Sequence, residues 1–91
     1  MESFPPDEQH IQEMQRRLGQ RIMQLRKGRG WSQDTFAHLA GLNRAYPNKI
    51  EKAKVDLRFS TLVRIANVFD MTVDSLLTFD WHAASDPGKS K

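Results

Sequence analysis

The most informative absence from this chain is cysteine, of which its 91 residues contain none. Without thiols the chain can form neither a disulfide framework nor a thiolate metal site, so its stability must come from packing. Long apolar runs are also missing, since no stretch approaches the roughly 20 consecutive apolar residues that a bilayer-spanning helix needs. Residues 1–7 have neither the basic region nor the apolar core of a secretion signal. We therefore expect a soluble, cytoplasmic protein.

Acidic residues are scarce in the middle of the chain. Residues 16–58 contain eleven Lys and Arg against three Asp and Glu, a net charge of +8, whereas the rest of the chain sums to −5. Such an asymmetry is the electrostatic signature of a surface that binds a polyanion such as nucleic acid, although many soluble domains simply have one basic side.

Residue types that serve catalysis or metal binding occur without the spacing that those functions need. The three histidines, His10, His38 and His82, share no ligand spacing with one another or with acidic residues. No arrangement of Ser, His and Asp indicates a nucleophile, and residues 28–30 lack the lysine and the preceding strand of a phosphate-binding loop. We expect no enzyme activity, no metal and no cofactor.

Apolar residues recur at helical spacing in four segments, Ile50 marks a fifth, and no segment alternates with period two. The sequence therefore predicts an all-α, five-helix bundle. We expect a flexible N-terminal arm at residues 1–8, one domain at 9–80 and a flexible C-terminal tail at 81–91. The apolar stripes are Ile11, Met14, Leu18, Ile22 and Leu25; Phe36, Leu39 and Ala40; Ile50; Leu62, Ile65, Ala66 and Phe69; and Val73, Leu76 and Leu77.

Residues 32–52 outline two short helices joined at one glycine. Ser32 is a good N-cap for the first, because its hydroxyl can accept a hydrogen bond from a free backbone N–H group. Ala37 is small where a second helix must cross closely, and Gly41 tolerates the positive φ of a tight turn. Ile50 resumes the apolar stripe beneath the second helix. This spacing predicts a helix-turn-helix.

The same residues resemble the Cro and phage-repressor-like helix-turn-helix family, also called the XRE family, over about residues 18–77. Residues 43–46 are similar to the small controller proteins of restriction-modification systems. The resemblance implies a phage-repressor-like fold and a sequence-specific transcriptional regulator, most simply a repressor, that binds a palindromic operator as a homodimer. The segments that carry it are Leu18-Gly19-Gln20-Arg21-Ile22, Leu25-Arg26, Trp31-Ser32-Gln33-Asp34-Thr35-Phe36-Ala37, Ala40-Gly41-Leu42-Asn43-Arg44-Ala45-Tyr46, Lys49-Ile50-Glu51-Lys52 and Leu62-Val63-Arg64-Ile65-Ala66.

By the same resemblance, residues 43–52 form a recognition helix that lies in the major groove of double-stranded DNA. Arginine can grip guanine O6 and N7, and asparagine can pair with adenine N6 and N7. The resemblance also implies a partly buried ion pair between Arg26 and Glu51. The expected base contacts are Asn43, Arg44, Ala45 and Asn48, and the expected phosphate contacts are Gln33, Tyr46, Lys49, Lys52, Lys54 and Arg58.

Two residues depart from the family pattern. Pro47 stands where the family has an apolar residue inside the recognition helix. Either the helix begins at Asn43 and Pro47 forgoes a hydrogen bond, or Tyr46 is the cap and Pro47 the first helical residue. In the second case, base reading shifts toward Asn48 and Lys49. Ala53 follows where the family usually has glycine, which predicts a recognition helix longer by one turn.

The sequence leaves alternatives open for the dimer surface and for the function. Leu76, Leu77, Phe79 and Trp81 are expected to form a dimer patch, and the alternative is that Phe79 and Trp81 fold back onto the core. Two other functions fit the sequence. One is an antitoxin that regulates its own operon and binds a toxin protein, and the other is a protein-interaction module that has lost DNA binding.

Overall fold

The computed structural model describes residues 8–79, which form five helices and no strand. The predicted tail at 81–91, and all of the predicted arm except Glu8, lie outside the described residues. No helix within the described range is long and apolar enough to cross a membrane. The helices are α1 (Glu8–Gly28), α2 (Gln33–Ala40), α3 (Tyr46–Glu51), α4 (Phe59–Val68) and α5 (Val73–Leu76).

The core is built from the apolar stripes of all five helices. Helix α1 packs on α3, α2 packs on both α3 and α4, and α4 packs on α5. Three aromatic rings stack at the centre, with ring centroids 5.6 Å apart for Trp31 and Phe69 and 5.4 Å apart for Phe36 and Phe69. The buried apolar residues are Ile22, Phe36, Ala37, Ala40, Ile50, Ile65, Ala66, Phe69 and Leu76.

Two residues of the predicted apolar stripes are more exposed than expected, and one residue of the predicted dimer patch is buried. Leu39 is 48% exposed and Ile11 is 42% exposed. Leu39 faces away because α2 already buries Phe36 and Ala40 against its neighbours, and Ile11 lies on the first turn of the long α1. Leu76 is fully buried in the core. It therefore offers no surface to a second subunit, and its place in the predicted dimer patch is wrong.

The first four helices end in the same way. After each helix, two consecutive N–H groups donate to carbonyls three and five residues earlier, which is the Schellman motif. The motif needs one residue in the left-handed region, and glycine fills that position after α1 and α2. Non-glycine residues fill it after α3 and α4, where Ala53 has φ 57° and Asp70 has φ 60°.

The end of α3 follows directly from this motif. The N–H of Ala53 donates to the Ile50 carbonyl at 3.0 Å, and the N–H of Lys54 donates to the Lys49 carbonyl at 2.8 Å. Because these bonds consume the last carbonyls of the helix, α3 cannot continue past Lys52. The predicted extension by one turn is wrong, since alanine adopts the conformation that the family usually gives to glycine.

Helices α1 and α3 approach each other most closely at Gly19. A Cβ atom at this position would lie 2.4 Å from the Ile50 carbonyl oxygen and 3.2 Å from that of Glu51. Only glycine allows α1 to lie directly against the backbone at the end of α3. This contact therefore helps to fix the position of α3 in the fold.

Candidate nucleic-acid interface

The segment that precedes α3 is a turn and not helix. The Tyr46 N–H donates to the Asn43 carbonyl at 2.9 Å, and the Asn43 side-chain oxygen accepts the Ala45 N–H at 2.9 Å. Asparagine at the first position of such a turn stabilises it in this way. Pro47 has no N–H group to offer the Asn43 carbonyl, and it lies buried in the first turn of α3. The first helical residue is thus Tyr46, with Ala45 as its N-cap. The start at Asn43 is wrong, and the alternative start at Pro47 is one residue too late.

This turn changes what Asn43 can offer to a base. A bidentate contact between asparagine and adenine needs both the amide oxygen as acceptor and the amide nitrogen as donor. In Asn43 the oxygen is already engaged by the Ala45 N–H. Asn48 lies exposed on α3, next to the surface that α3 shares with the turn. Of the two asparagines, Asn48 is the better placed for a base contact.

The four predicted base contacts line one surface concavity, which we call the reading cleft. Asn43, Arg44 and Ala45 contribute from the turn, and Asn48 contributes from α3. Three further residues complete its lining, Gln33, Asp34 and Lys49. The structure thus brings the start of α2, the turn and the outer face of α3 together on one open surface.

A buried ion pair fixes α3 from behind this surface. Arg26 Nε donates to Glu51 Oε2 at 2.6 Å and Arg26 Nη2 donates to Glu51 Oε1 at 3.0 Å, with side chains only 9% and 5% exposed. Its hydrogen bond to Glu51 raises the pKa of Arg26, so the guanidinium stays charged. Gln33 Nε2 also donates to Glu51 Oε1, at 3.0 Å. One carboxylate therefore ties α1, α2 and α3 together.

The bond to Glu51 constrains what Gln33 can do at a phosphate. Its amide nitrogen carries two hydrogens, and the bond to Glu51 occupies one of them. The second hydrogen is left for an anion, as are the backbone N–H groups of Gln33 and Asp34, because the next two N–H groups of α2 already donate to Ser32. Gln33 is half-buried, so these donors lie at the edge of the reading cleft.

Fewer basic residues face solvent freely than the net charge suggested. Arg21 donates to the Ser75 and Leu76 carbonyls, and Arg29 donates to the Phe69 carbonyl at 2.8 Å, so both cap helix ends from outside. Arg16 and Arg17 pair with Glu13. With Arg26 buried, five of the eleven basic residues in 16–58 serve the fold or pair with Glu13. The other six are exposed, although Arg44 also pairs with Asp34. These six are Lys27, Arg44, Lys49, Lys52, Lys54 and Arg58.

The predicted phosphate contacts separate into two kinds. Lys49, Lys52, Lys54 and Arg58 are exposed and follow one another from α3 to the start of α4. Tyr46 instead is half-buried and packs against the core cluster. Its main contribution within the described residues is packing, and any phosphate contact depends on its hydroxyl alone.

The sequence did not lead us to predict that the N-terminus of α4 could contribute phosphate donors. Arg58 is the residue before this helix, and no side chain caps it. The first N–H groups of a helix have no partner inside the helix, and they favour anions. The sequence did contain an indication of this, because Arg58 occupies the N-cap position, where Ser, Thr, Asp or Asn is usual. These N–H groups add donors beside the predicted phosphate contact at Arg58.

Comparisons with known proteins agree with this geometry. A family model described as helix-turn-helix, HTH_3, matches residues 22–76. The restriction-modification controller protein C.AhdI from Aeromonas hydrophila is 31% identical, with a TM-score of 0.65 over 68% of this chain and 94% of that chain. No curated protein matches the chain in sequence.

Two other solved structures have the same fold. An HTH_3 family transcriptional regulator from Vibrio cholerae is 26% identical, with a TM-score of 0.67 over 86% of this chain, which spans only 40% of that longer protein. A hypothetical transcription factor, NHTF, from Neisseria is 23% identical, with a TM-score of 0.68 over 100% of this chain and 97% of that one. At that identity the likeness to the Neisseria protein is one of fold alone.

Proposed function

The chain belongs to the helix-turn-helix family HTH_3, and on that basis we propose that it is a DNA-binding transcriptional regulator. The observation that carries the proposal is the reading cleft, where the four predicted base contacts share one exposed surface with Lys49. The similar Aeromonas and Vibrio proteins are described as a restriction-modification controller and a transcriptional regulator, which supports the same class.

In this proposal the reading cleft enters the major groove of an operator. Arg44 and Asn48 read base edges, Asn43 holds the turn that presents them, and Ala45 offers a methyl group to a thymine methyl. Lys49, Lys52, Lys54 and Arg58 contact phosphates and set the register without reading sequence. Gln33 and the first N–H groups of α2 and α4 add neutral phosphate donors.

The protein acts as a homodimer on a palindromic operator, with half-sites about one helical turn apart. Binding across a promoter would exclude polymerase, so repression is the simplest outcome. It acts in the cytoplasm, on the nucleoid.

The predicted dimer patch retains Leu77 and Phe79 within the described residues, both half-buried, whereas Trp81 lies outside them. Light scattering on Trp81→Ser tests this patch, because an unchanged dimer would exclude it.

Selection on random duplex DNA tests the proposal. We expect an enriched inverted repeat, with half-sites separated by about one helical turn. The four phosphate-contacting cations of each subunit give eight in the dimer, so the slope of log K against log salt should be about −7. Lack of any enrichment at low salt would contradict the proposal. That result would support a protein-interaction module instead.

A further inference from the structure

Among residues 8–79, Asp34 is the only acidic residue that lines the reading cleft. A carboxylate on a surface that approaches phosphates weakens general DNA binding, because like charges repel. An acidic residue in the first turn of α2 also favours the helix by its charge. That effect explains why an acid is tolerated at this position. It does not explain what the carboxylate contacts.

The Asp34 carboxylate is aligned with the guanidinium of Arg44. Arg44 Nε donates to Asp34 Oδ1 at 3.3 Å, and Arg44 Nη2 lies 3.3 Å from Asp34 Oδ2. The two oxygens therefore meet the side of the guanidinium that carries Nε and Nη2. The opposite edge, with both hydrogens of Nη1 and the second hydrogen of Nη2, is left to form a fork toward another acceptor pair.

We propose that Asp34 is a specificity-determining residue that positions Arg44 to read guanine, an inference that rests on the proposed function. A guanidinium held on one side can present its other edge to O6 and N7 of guanine as a preset fork. Without Asp34, Arg44 turns freely and can bind any nearby phosphate. Asp34 thus favours the correct base and disfavours DNA of arbitrary sequence.

The exposure of this pair makes the inference testable. The side chains of Arg44 and Asp34 are 84% and 60% exposed, and a pair that exposed contributes little to folding. Variants at either position should therefore fold. Asp56, an exposed acid in the segment between α3 and α4, supplies the matched control, because Asp56→Asn removes the same charge outside the cleft.

The experiment repeats the duplex selection with Asp34→Ala, Asp34→Asn, Arg44→Ala, the Asp34→Ala/Arg44→Ala double variant and Asp56→Asn. Arg44→Ala should reduce the preference for guanine at one base pair of each half-site by about 5- to 150-fold. Asp34→Ala should reduce the preference at that same base pair by about two- to fivefold and tighten binding to a scrambled duplex. Asp34→Asn should be intermediate, because it keeps one acceptor oxygen. Asp56→Asn should leave the preference unchanged.

In the double variant, loss of Asp34 should have no further effect on the preference, since the side chain that it positions is gone. The inference is overturned if Arg44→Ala reduces the guanine preference but Asp34→Ala does not. Asp34→Ala would then only lower thermal stability, or change binding to all sequences equally. It is also overturned if Arg44→Ala leaves every base preference intact. In both cases the wild-type protein still selects an operator, so the proposed function survives. Failure of the wild-type protein to select any sequence contradicts both.

Discussion

Replacing Gly19 by alanine should destabilise the protein, although the same change normally stabilises a helix. Glycine inside a helix costs about 0.5–1 kcal/mol relative to alanine, so intrinsic propensity favours the substitution. The new Cβ would lie 2.4 Å from the Ile50 carbonyl oxygen, whereas ordinary contact begins at 3.4 Å. Helices α1 and α3 must therefore separate by about 1 Å at this point, an overpacking that costs about 1–3 kcal/mol.

The obstructing atoms are backbone, which cannot move aside as a flexible side chain would. The Ile50 carbonyl is moreover engaged by the Ala53 N–H at the end of α3. The cost should therefore fall in the upper part of its range, which leaves a net loss of about 1–2 kcal/mol after the gain in propensity. For a domain of this size, that loss lowers the melting temperature by about 5–15 °C. Because α3 must shift, affinity for the operator should also fall.

Gly28→Ala is the matched control, since Gly28 lies in the same helix and its Cβ would meet nothing within 4 Å. This variant should be as stable as the wild-type protein, or more stable by up to about 1 kcal/mol. Urea and thermal unfolding of the two variants measure the difference. If Gly19→Ala proves as stable as Gly28→Ala, the close approach of α1 and α3 is not as described.

Three further changes have defined outcomes. Ala53→Gly should raise the free energy of unfolding by about 1 kcal/mol in urea titrations, because it relieves the strain of alanine at φ 57°; an unchanged midpoint would argue against that conformation. Arg26→Ala should cost about 3–5 kcal/mol by leaving the Glu51 carboxylate buried and unpaired, and the double variant with Glu51→Ala should cost less than the sum of the two single changes. A hydrogen bond from Thr72 lowers the pKa of Asp74, so the Asp74 carboxylate stabilises the fold above the ordinary carboxyl pKa and stops doing so as the pH falls through the lowered pKa. Asp74→Asn should therefore make the free energy of unfolding less dependent on pH in acid. If the variant keeps the pH dependence of the wild-type protein, Asp74 is not the group responsible.

The sequence predicted the fold because its local signals agree with the tertiary structure. The Ser32 hydroxyl accepts the Thr35 N–H at 3.0 Å, and Gly41 adopts φ 67° at the turn. The sequence predicted both the N-cap and the turn at these positions. The all-helical fold and the membership of the helix-turn-helix family are confirmed. Caps and turns of this kind depend on a few neighbouring residues, which a sequence displays directly.

Features that depend on contacts between residues far apart in the sequence were harder to predict from the sequence. The sequence shows a glycine at position 19, but only the packing of α1 against α3 shows why alanine would not fit. The count of basic residues overstated the free positive charge, since Arg21 and Arg29 bind carbonyls more than 35 positions away. Local pattern alone also left two possible starts for α3. The structure adopts neither start, because Ala45 is the N-cap and Tyr46 the first helical residue of α3, one residue before the later of the two. The Tyr46 N–H takes the Asn43 carbonyl, to which Pro47 has no N–H group to donate.

The roles of individual residues at DNA stay predictions, and one comparison tests them most directly. Binding of Asn48→Ala and Lys52→Ala is measured on the selected operator and on a scrambled duplex, over a range of salt. We expect Asn48→Ala to lose about 1–3 kcal/mol on the operator and nothing on the scrambled duplex. Lys52→Ala should weaken both duplexes alike and make the salt slope of the dimer shallower by about 2. Equal losses on both duplexes for Asn48→Ala would contradict the account, because the reading cleft would then contact only the DNA backbone.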